Sequence, residues 1–172
     1  MEGYANHIVQ YSPEYSLCAG CEACSMICGL KHEGFTSPGN ARIKVNLGTR
    51  SMIHEVLACQ QCLDHPCYEA CPKKDEAMRL DPETGIAYID EENCIGCGLC
   101  IRACRFDPPR ISMRRNRERK LWRAVKCDLC RGNPEGPQCI RACQVVCIGL
   151  SDDAVEGEGG LWPASAVDGA QG

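Results

Sequence analysis

The chain has 172 residues, 17 of them cysteine, and a formal net charge of −4. Two Trp, two Phe and five Tyr are too few large side chains to fill an ordinary core of this size. The acidic balance argues against a nucleic-acid binder, and no apolar run approaches the ~20 residues of a membrane helix, so direct membrane insertion is not expected.

So many cysteines in a short chain raise the alternative of a secreted disulfide scaffold. The first residues carry no basic stretch followed by an apolar one, and an odd number of thiols leaves one unpaired. A reducing, cytoplasmic location is therefore expected.

Taken in order, residues 1–17 read as an extended arm containing Tyr4, Tyr11 and Tyr15. Cys18, Cys21, Cys24 and Cys28 follow at intervals of three, three and four. That is iron-sulfur spacing: three thiolates of a tight loop meet one cubic cluster, and the fourth enters a helix and points at a neighbouring cluster. Residues 41–47 alternate as a strand would, and residues 51–57 are the second strand of an expected hairpin.

A second group, Cys59, Cys62, Cys67 and Cys71, has two residues inserted before its third cysteine and Pro72 after its fourth. Residues 78–80 and 86–89 flank the turn Asp81 to Gly85, a second hairpin. The third group, Cys94, Cys97, Cys100 and Cys104, repeats the spacing of the first. Residues 111–113 and 121–125 bracket the basic run Arg114 to Lys120, a third hairpin with a cationic tip. Eight of the 19 Lys and Arg lie between Arg110 and Lys126. The fourth group, Cys127, Cys130, Cys139 and Cys143, contains the longest loop. From Ser151 onward there are five acidic residues, five glycines and no basic residue, an acidic Gly-rich tail, 151–172, without its own core and with Trp162 and Pro163 as its anchor.

The organising feature is thus an internal repeat of cysteine group and hairpin. Sixteen cysteines suffice for four 4Fe-4S clusters, and Cys147 is left over as a small buried thiol beside a cluster or a substitute ligand. Zinc is the competing metal, but zinc ribbons use two separated C-x2-C pairs, whereas three of four cysteines crowd one loop in the first and third groups. His7, His32, His54 and His65 fit ordinary polar packing. Arg102, Arg105, Lys126, Arg131 and Arg141 stand within or beside the cysteine groups, where positive charge favours a reduced, more negative cluster. No nucleophile triad, phosphate loop or dinucleotide fingerprint is present, so a non-catalytic electron carrier is expected rather than an enzyme.

Four groups in this order, together with Cys59 to Pro72, the Asp81 to Gly85 turn and Lys126 to Cys130, resemble the four-cluster ferredoxin-like electron-transfer subunits of molybdenum and tungsten pterin oxidoreductases, the group that includes the dimethyl sulfoxide reductase subunit. The resemblance covers residues 18–150. The first group, with His32 to Gly34 and Ala41 to Val45 behind it, is more similar to the version paired with tungsten aldehyde oxidoreductases and benzoyl-coenzyme A reductases.

The resemblance implies an α+β fold of two nested bacterial-ferredoxin-like modules, an outer one of 18–50 with 111–150 and an inner one of 51–110. It also implies crossed ligation. One cluster would take Cys18, Cys21, Cys24 and Cys143, and its neighbour Cys127, Cys130, Cys139 and Cys28. Another would take Cys59, Cys62, Cys67 and Cys104, and the last Cys94, Cys97, Cys100 and Cys71. Implied partners are a large tungsten- or molybdenum-pterin catalytic subunit, an FAD/NAD-binding flavin subunit, and further copies of the chain in an electron-conducting array. Gly29, Arg105 and Gln144 stand where the family usually has proline after the fourth cysteine. The alternatives are a free polyferredoxin serving several enzymes and a zinc-organised interaction module.

Overall fold

The computed structural model describes residues 6–12, 17–115, 120–157 and 160–163. In chain order the elements are strand β1 (Ile8–Gln10), helix α1 (Ala23–Glu33), strands β2 (Lys44–Asn46) and β3 (Glu55–Leu57), helix α2 (Pro66–Glu69), strands β4 (Met78–Leu80) and β5 (Ala87–Ile89), and helix α3 (Leu99–Arg102). Then come β6 (Ile111–Arg115), β7 (Trp122–Lys126), α4 (Gln138–Arg141), β8 (Ile148–Leu150), β9 (Ala154–Gly157) and β10 (Gly160–Pro163). Short helices and two-stranded antiparallel sheets make this a mixed α+β chain. No helix among the described residues is long and apolar enough to cross a membrane.

The chain forms two compact units. The first, residues 59–132, holds the second and third cysteine groups with Cys127 and Cys130. Its hairpins pair Met78 with Ile89 and Ile111 with Lys126, and in β7 Arg123 to Lys126 are all buried. Asp81 Oδ1 closes the β4–β5 turn by accepting from the N–H groups of Glu83 (3.1 Å) and Thr84 (3.0 Å) and from Thr84 Oγ1 (3.0 Å). The β6–β7 hairpin, grouped by repeat order with the outer module, turns Ile111 and Ala124 onto Met78 and Cys100, with Ile89 and Ile101 against them. This core is small, and cysteines are part of it.

The second unit comprises residues 6–58 with 133 onward. Its helix α1 is stopped by Gly34 at φ 75°, whose N–H returns to Leu30 O (3.0 Å), with Lys31 and His32 in the last turn. Helix α1 packs on α4. The expected hairpin is β2–β3, with Val45 opposite Val56. The N-terminal arm is more than extended chain: β1 pairs antiparallel with β8, Val9 facing Gly149. Gln10 then grips β3, donating to His54 O (2.8 Å) and accepting from Val56 N–H (2.7 Å). A Cβ on Gly149 would lie 1.8 Å from Tyr11 Oη, so only glycine lets that ring cross the strand.

The tail also has structure where it is described. β9 and β10 form a hairpin, and Ser12 donates both its N–H (2.9 Å) and its hydroxyl (3.0 Å) to Leu161 O. Backbone pairing orders a segment whose composition promised no core. The Trp162 side chain and residues 164–172 lie outside what is described, as do residues 116–119 of the basic tip and Tyr4 and Tyr15.

Candidate metal centre

Each cysteine group begins in a loop with a left-handed residue just before its second cysteine: Gly20 (φ 65°), Gln61 (φ 47°), Gly96 (φ 70°) and Leu129 (φ 55°). A second follows within the same loop, at Glu22 (56°), His65 (40°), Gly98 (73°) and Cys130 (55°). Left-handed backbone costs a side-chain-bearing residue about 1–2 kcal/mol, so its recurrence just before each second cysteine marks a conformation the site demands. Alternating right- and left-handed residues turn successive N–H groups toward one point, a concavity suited to an anion. At Gly96 the demand is doubled, since a Cβ would lie 2.2 Å from Trp122 O.

In residues 59–132 the loops bound two cavities, each partly open to solvent. One is lined by Cys59, Cys62, Cys67 and Cys104, the other by Cys71, Cys94, Cys97 and Cys100. Helix α2 carries Cys67 to the first, and Cys71, just past its C-cap, reaches the second; α3 carries Cys100 to the second, and Cys104, just past its C-cap, reaches the first. Four residues of helix span about 6 Å, so one turn separates the two destinations.

In the other unit Cys18 and Cys143 are near enough to act on the ionisation of Cys24. Burial, with Cys18 and Cys143 beside it, pushes the Cys24 thiol up to about 11. Cys21 is exposed. Of the remaining predicted set, Cys28 and Cys139 are buried in this unit, and Cys127 and Cys130 are buried in the other.

The unabsorbed Cys147 is buried, with its Sγ 3.4 Å from Cys143 Sγ, and its N–H donates to the same sulfur (3.3 Å). Its thiol is pushed far up by burial and by those neighbours. Backbone N–H groups also donate to Cys28 (from Arg42, 3.3 Å), Cys104 (from Arg110, 3.3 Å) and Cys94 (from Ala124, 3.4 Å). Burial, followed by its four thiol neighbours, pushes Cys100 up to about 12. Cys24 and Cys100 thus hold their protons until a cation replaces them.

Two residues beyond the cysteines define the first cavity. Lys126 is 2% exposed, and among the described residues its ammonium donates only to Gln61 Oε1 (3.2 Å) and Ala87 O, both neutral. A buried cation without an anion is costly, and the cavity it lines supplies a place for one. Gln61, 1% exposed, also accepts from Ala87 N–H (3.0 Å) and donates to Cys127 O (2.9 Å). Lys126 was legible as a cation beside a cysteine; its burial, and the role of Gln61, were not.

The other basic residues divide differently from the expectation. Arg105 lines the first cavity but pairs with Asp64. Arg131 stacks 3.9 Å over Tyr88 and reaches Asp81, and Arg141 pairs with Glu135 (2.7 Å), so both brace the fold. Arg114, at the base of the basic run, is held by Glu91 at 2.5 Å. His65 lines the first cavity, where burial and then Lys126 hold its imidazole below the usual range.

Thiol-lined cavities, anion-seeking loops and a buried cation that meets no carboxylate among the described residues fit an anionic inorganic cluster held by thiolates, and they define an iron-sulfur protein of ferredoxin-like, electron-transport type. Residues 51–153 match the family model described as "4Fe-4S dicluster domain", and the chain belongs to that family. It is 39% identical over 126 residues to the "Aliphatic sulfonate oxidoreductase, polyferredoxin-like subunit" of Pyrococcus furiosus, an alignment covering 73% of this chain and 66% of that one. It is 31% identical over 140 residues to "Putative electron transport protein YsaA" of Escherichia coli, covering 78% and 84%. Among solved structures it is similar to a chain of the "Active site complex BamBC of Benzoyl Coenzyme A reductase in complex with Benzoyl-CoA" at 23% identity and a TM-score of 0.43, over 85% of this chain and 81% of that one.

Proposed function

We propose that this chain is a non-catalytic electron-transfer subunit relaying single electrons through four 4Fe-4S clusters, between a tungsten- or molybdenum-pterin catalytic subunit of the aldehyde oxidoreductase type and a flavin subunit or other carrier. The observation that carries the reading is the exchange of fourth cysteines: Cys71 lines the cavity of Cys94, Cys97 and Cys100, while Cys104 lines that of Cys59, Cys62 and Cys67. Such an exchange sets two redox centres side by side, which serves electron relay.

The proposed ligand sets are those two, then Cys18, Cys21, Cys24 and Cys143, and Cys127, Cys130, Cys139 and Cys28, with the modules nested as the repeat order implies. When bound, the clusters supply one-electron chemistry. The chain's own work is to present thiolates, keep water from the sulfurs by burying Cys24, Cys100 and Cys139, and direct N–H groups at Cys28, Cys94, Cys104 and Cys143. The name of the Pyrococcus relative, a subunit of an oxidoreductase, supports a partner-bound role over a freely diffusing one.

Anaerobically prepared protein is expected to carry about sixteen irons and sixteen sulfides per chain. Half that iron would reject the four-cluster version, and stoichiometric zinc without sulfide would reject iron-sulfur chemistry altogether. Copurification from native cells tests the pterin partner.

Arg105 offers a finer check. Beside Cys62 its charge lowers, and that of Asp64 raises, the energy of placing an electron. Arg105→Ala leaves Asp64 uncompensated, so the midpoint of the adjacent cluster should fall, and fall less at high salt because the pair is exposed. A redox titration at two ionic strengths checks it; an unchanged midpoint rejects the role.

A further inference from the structure

The two cavities of residues 59–132 are alike in sulfur and unlike in charge. Three cationic side chains line the one with Cys59, Cys62, Cys67 and Cys104: Lys126, Arg105 and Arg110. Arg105 is paired with Asp64, and Arg110 lies 5.5 Å over the Phe106 ring and donates to Pro108 O (3.2 Å). Lys126 alone is buried, and among the described residues no carboxylate meets it.

The cavity with Cys71, Cys94, Cys97 and Cys100 has one cationic lining residue, Lys73, which is exposed and paired with Glu76 at 2.7 Å. Arg123, the other buried cation of β7, does not line it. Arg123 is spent on backbone carbonyls, donating to Glu91 O, Glu92 O (3.1 Å) and Cys94 O (2.6 Å), and so fixes the loop that presents Cys94.

We infer that Lys126 makes the cluster of Cys59, Cys62, Cys67 and Cys104 the higher-potential member of this pair, the position where an electron entering residues 59–132 comes to rest. The inference rests on the iron-sulfur reading above. Reduction adds a negative charge to the cube, and a cation facing it across a water-poor wall stabilises the reduced form more than the oxidised one. The interaction is strong because burial removes the solvent that screens surface pairs. Gln61 holds the ammonium in place with its Oε1 and leaves the charge intact, which a glutamate there would not do. The second cavity, whose only lining cation is already paired and in water, has no equivalent.

The test is an EPR-monitored redox titration of the iron-loaded full chain carrying Lys126→Gln, Lys126→Arg or Gln61→Glu. Lys126→Gln should lower one midpoint so that the reduced-to-oxidised ratio of that cluster at fixed potential falls about tenfold or more, which is about 59 mV for one electron. The other midpoints should move much less. Lys126→Arg should restore most of the shift, as a purely structural role would not. Gln61→Glu should lower the same midpoint by pairing the ammonium while keeping the lysine. Unchanged midpoints in iron-replete Lys126→Gln protein, or an equal shift of all of them, would overturn the inference. If Lys126→Gln fails to load iron, Gln61→Glu decides: the same fall supports the inference and an unmoved midpoint rejects it. Wild-type protein without clusters would reject the reading beneath it instead.

Discussion

Cys71→Ser protein is expected to lose about four irons per chain and to show an altered signal from a second cluster. The serine hydroxyl replaces a thiol in the wall of the cavity formed with Cys94, Cys97 and Cys100. An alkoxide is a far poorer match for iron of a cluster than a soft thiolate. The second effect follows from α2, which carries Cys67 into the other cavity one turn earlier. Loss of the anchor at its C-terminal end loosens both, and Cys71 N–H is bonded back to Tyr68 O (3.0 Å), so the helix cannot yield at one cysteine alone. Cys104→Ser, its counterpart at the end of α3, should reverse the pattern, affecting first the cluster of Cys59, Cys62 and Cys67. Cys147→Ser serves as the control and should retain full iron. Iron and sulfide analysis with low-temperature EPR reads all three; full iron and unchanged spectra in Cys71→Ser would break the proposed crossing.

Removal of iron should unfold the chain cooperatively. The apolar core of residues 59–132 is a small group around Met78, Ile111 and Ala124, with cysteine sulfur as part of its surface. Without clusters the cavities lose their filling, Lys126 is left buried without an anion, and the left-handed loop residues keep their strain without compensation. Chelation should therefore abolish the far-ultraviolet signature of the fold together with the visible absorption, and a chelated chain that keeps its native spectrum would show that folding is independent of the metal.

Acid should assist that release. Burial pushes the Cys24 and Cys100 thiols up to about 11 and about 12 in the iron-free fold, so protons compete strongly for both sulfurs. Each proton taken up on release makes loss about tenfold more favourable per pH unit lowered. The sign reverses for the metal-free fold. Its buried thiols contribute stability below their ordinary value near 9, and that contribution is lost as the pH rises through the shifted values.

Much of this was legible in the residue order. The spacing of sixteen cysteines, the left-over Cys147 and the three hairpins follow from local rules, because a cluster loop and a tight turn are each made within about a dozen residues. The hairpins appear where alternation at 41–47, the Asp81 to Gly85 turn and the segments around the basic run placed them, at 44–57, 78–89 and 111–126. Proline and glycine positions marked their ends.

What the order of residues could not determine depends on chain segments far apart meeting in space. Pairing of β1 with β8 joins residues about 140 apart by backbone hydrogen bonds, which carry no side-chain signature. The hairpin β9–β10 owes its order to the same kind of bond, through Ser12. Charge is the clearest case. Lys126, Arg105, Arg131 and Arg141 read alike as cations beside cysteines, yet three meet carboxylates and one is buried facing a thiol-lined cavity. By itself the sequence determined how the thiols are spaced and which of them are candidates for iron; only the tertiary structure decided which charges water screens and which it does not, because screening depends on burial, and burial is a property of the whole fold.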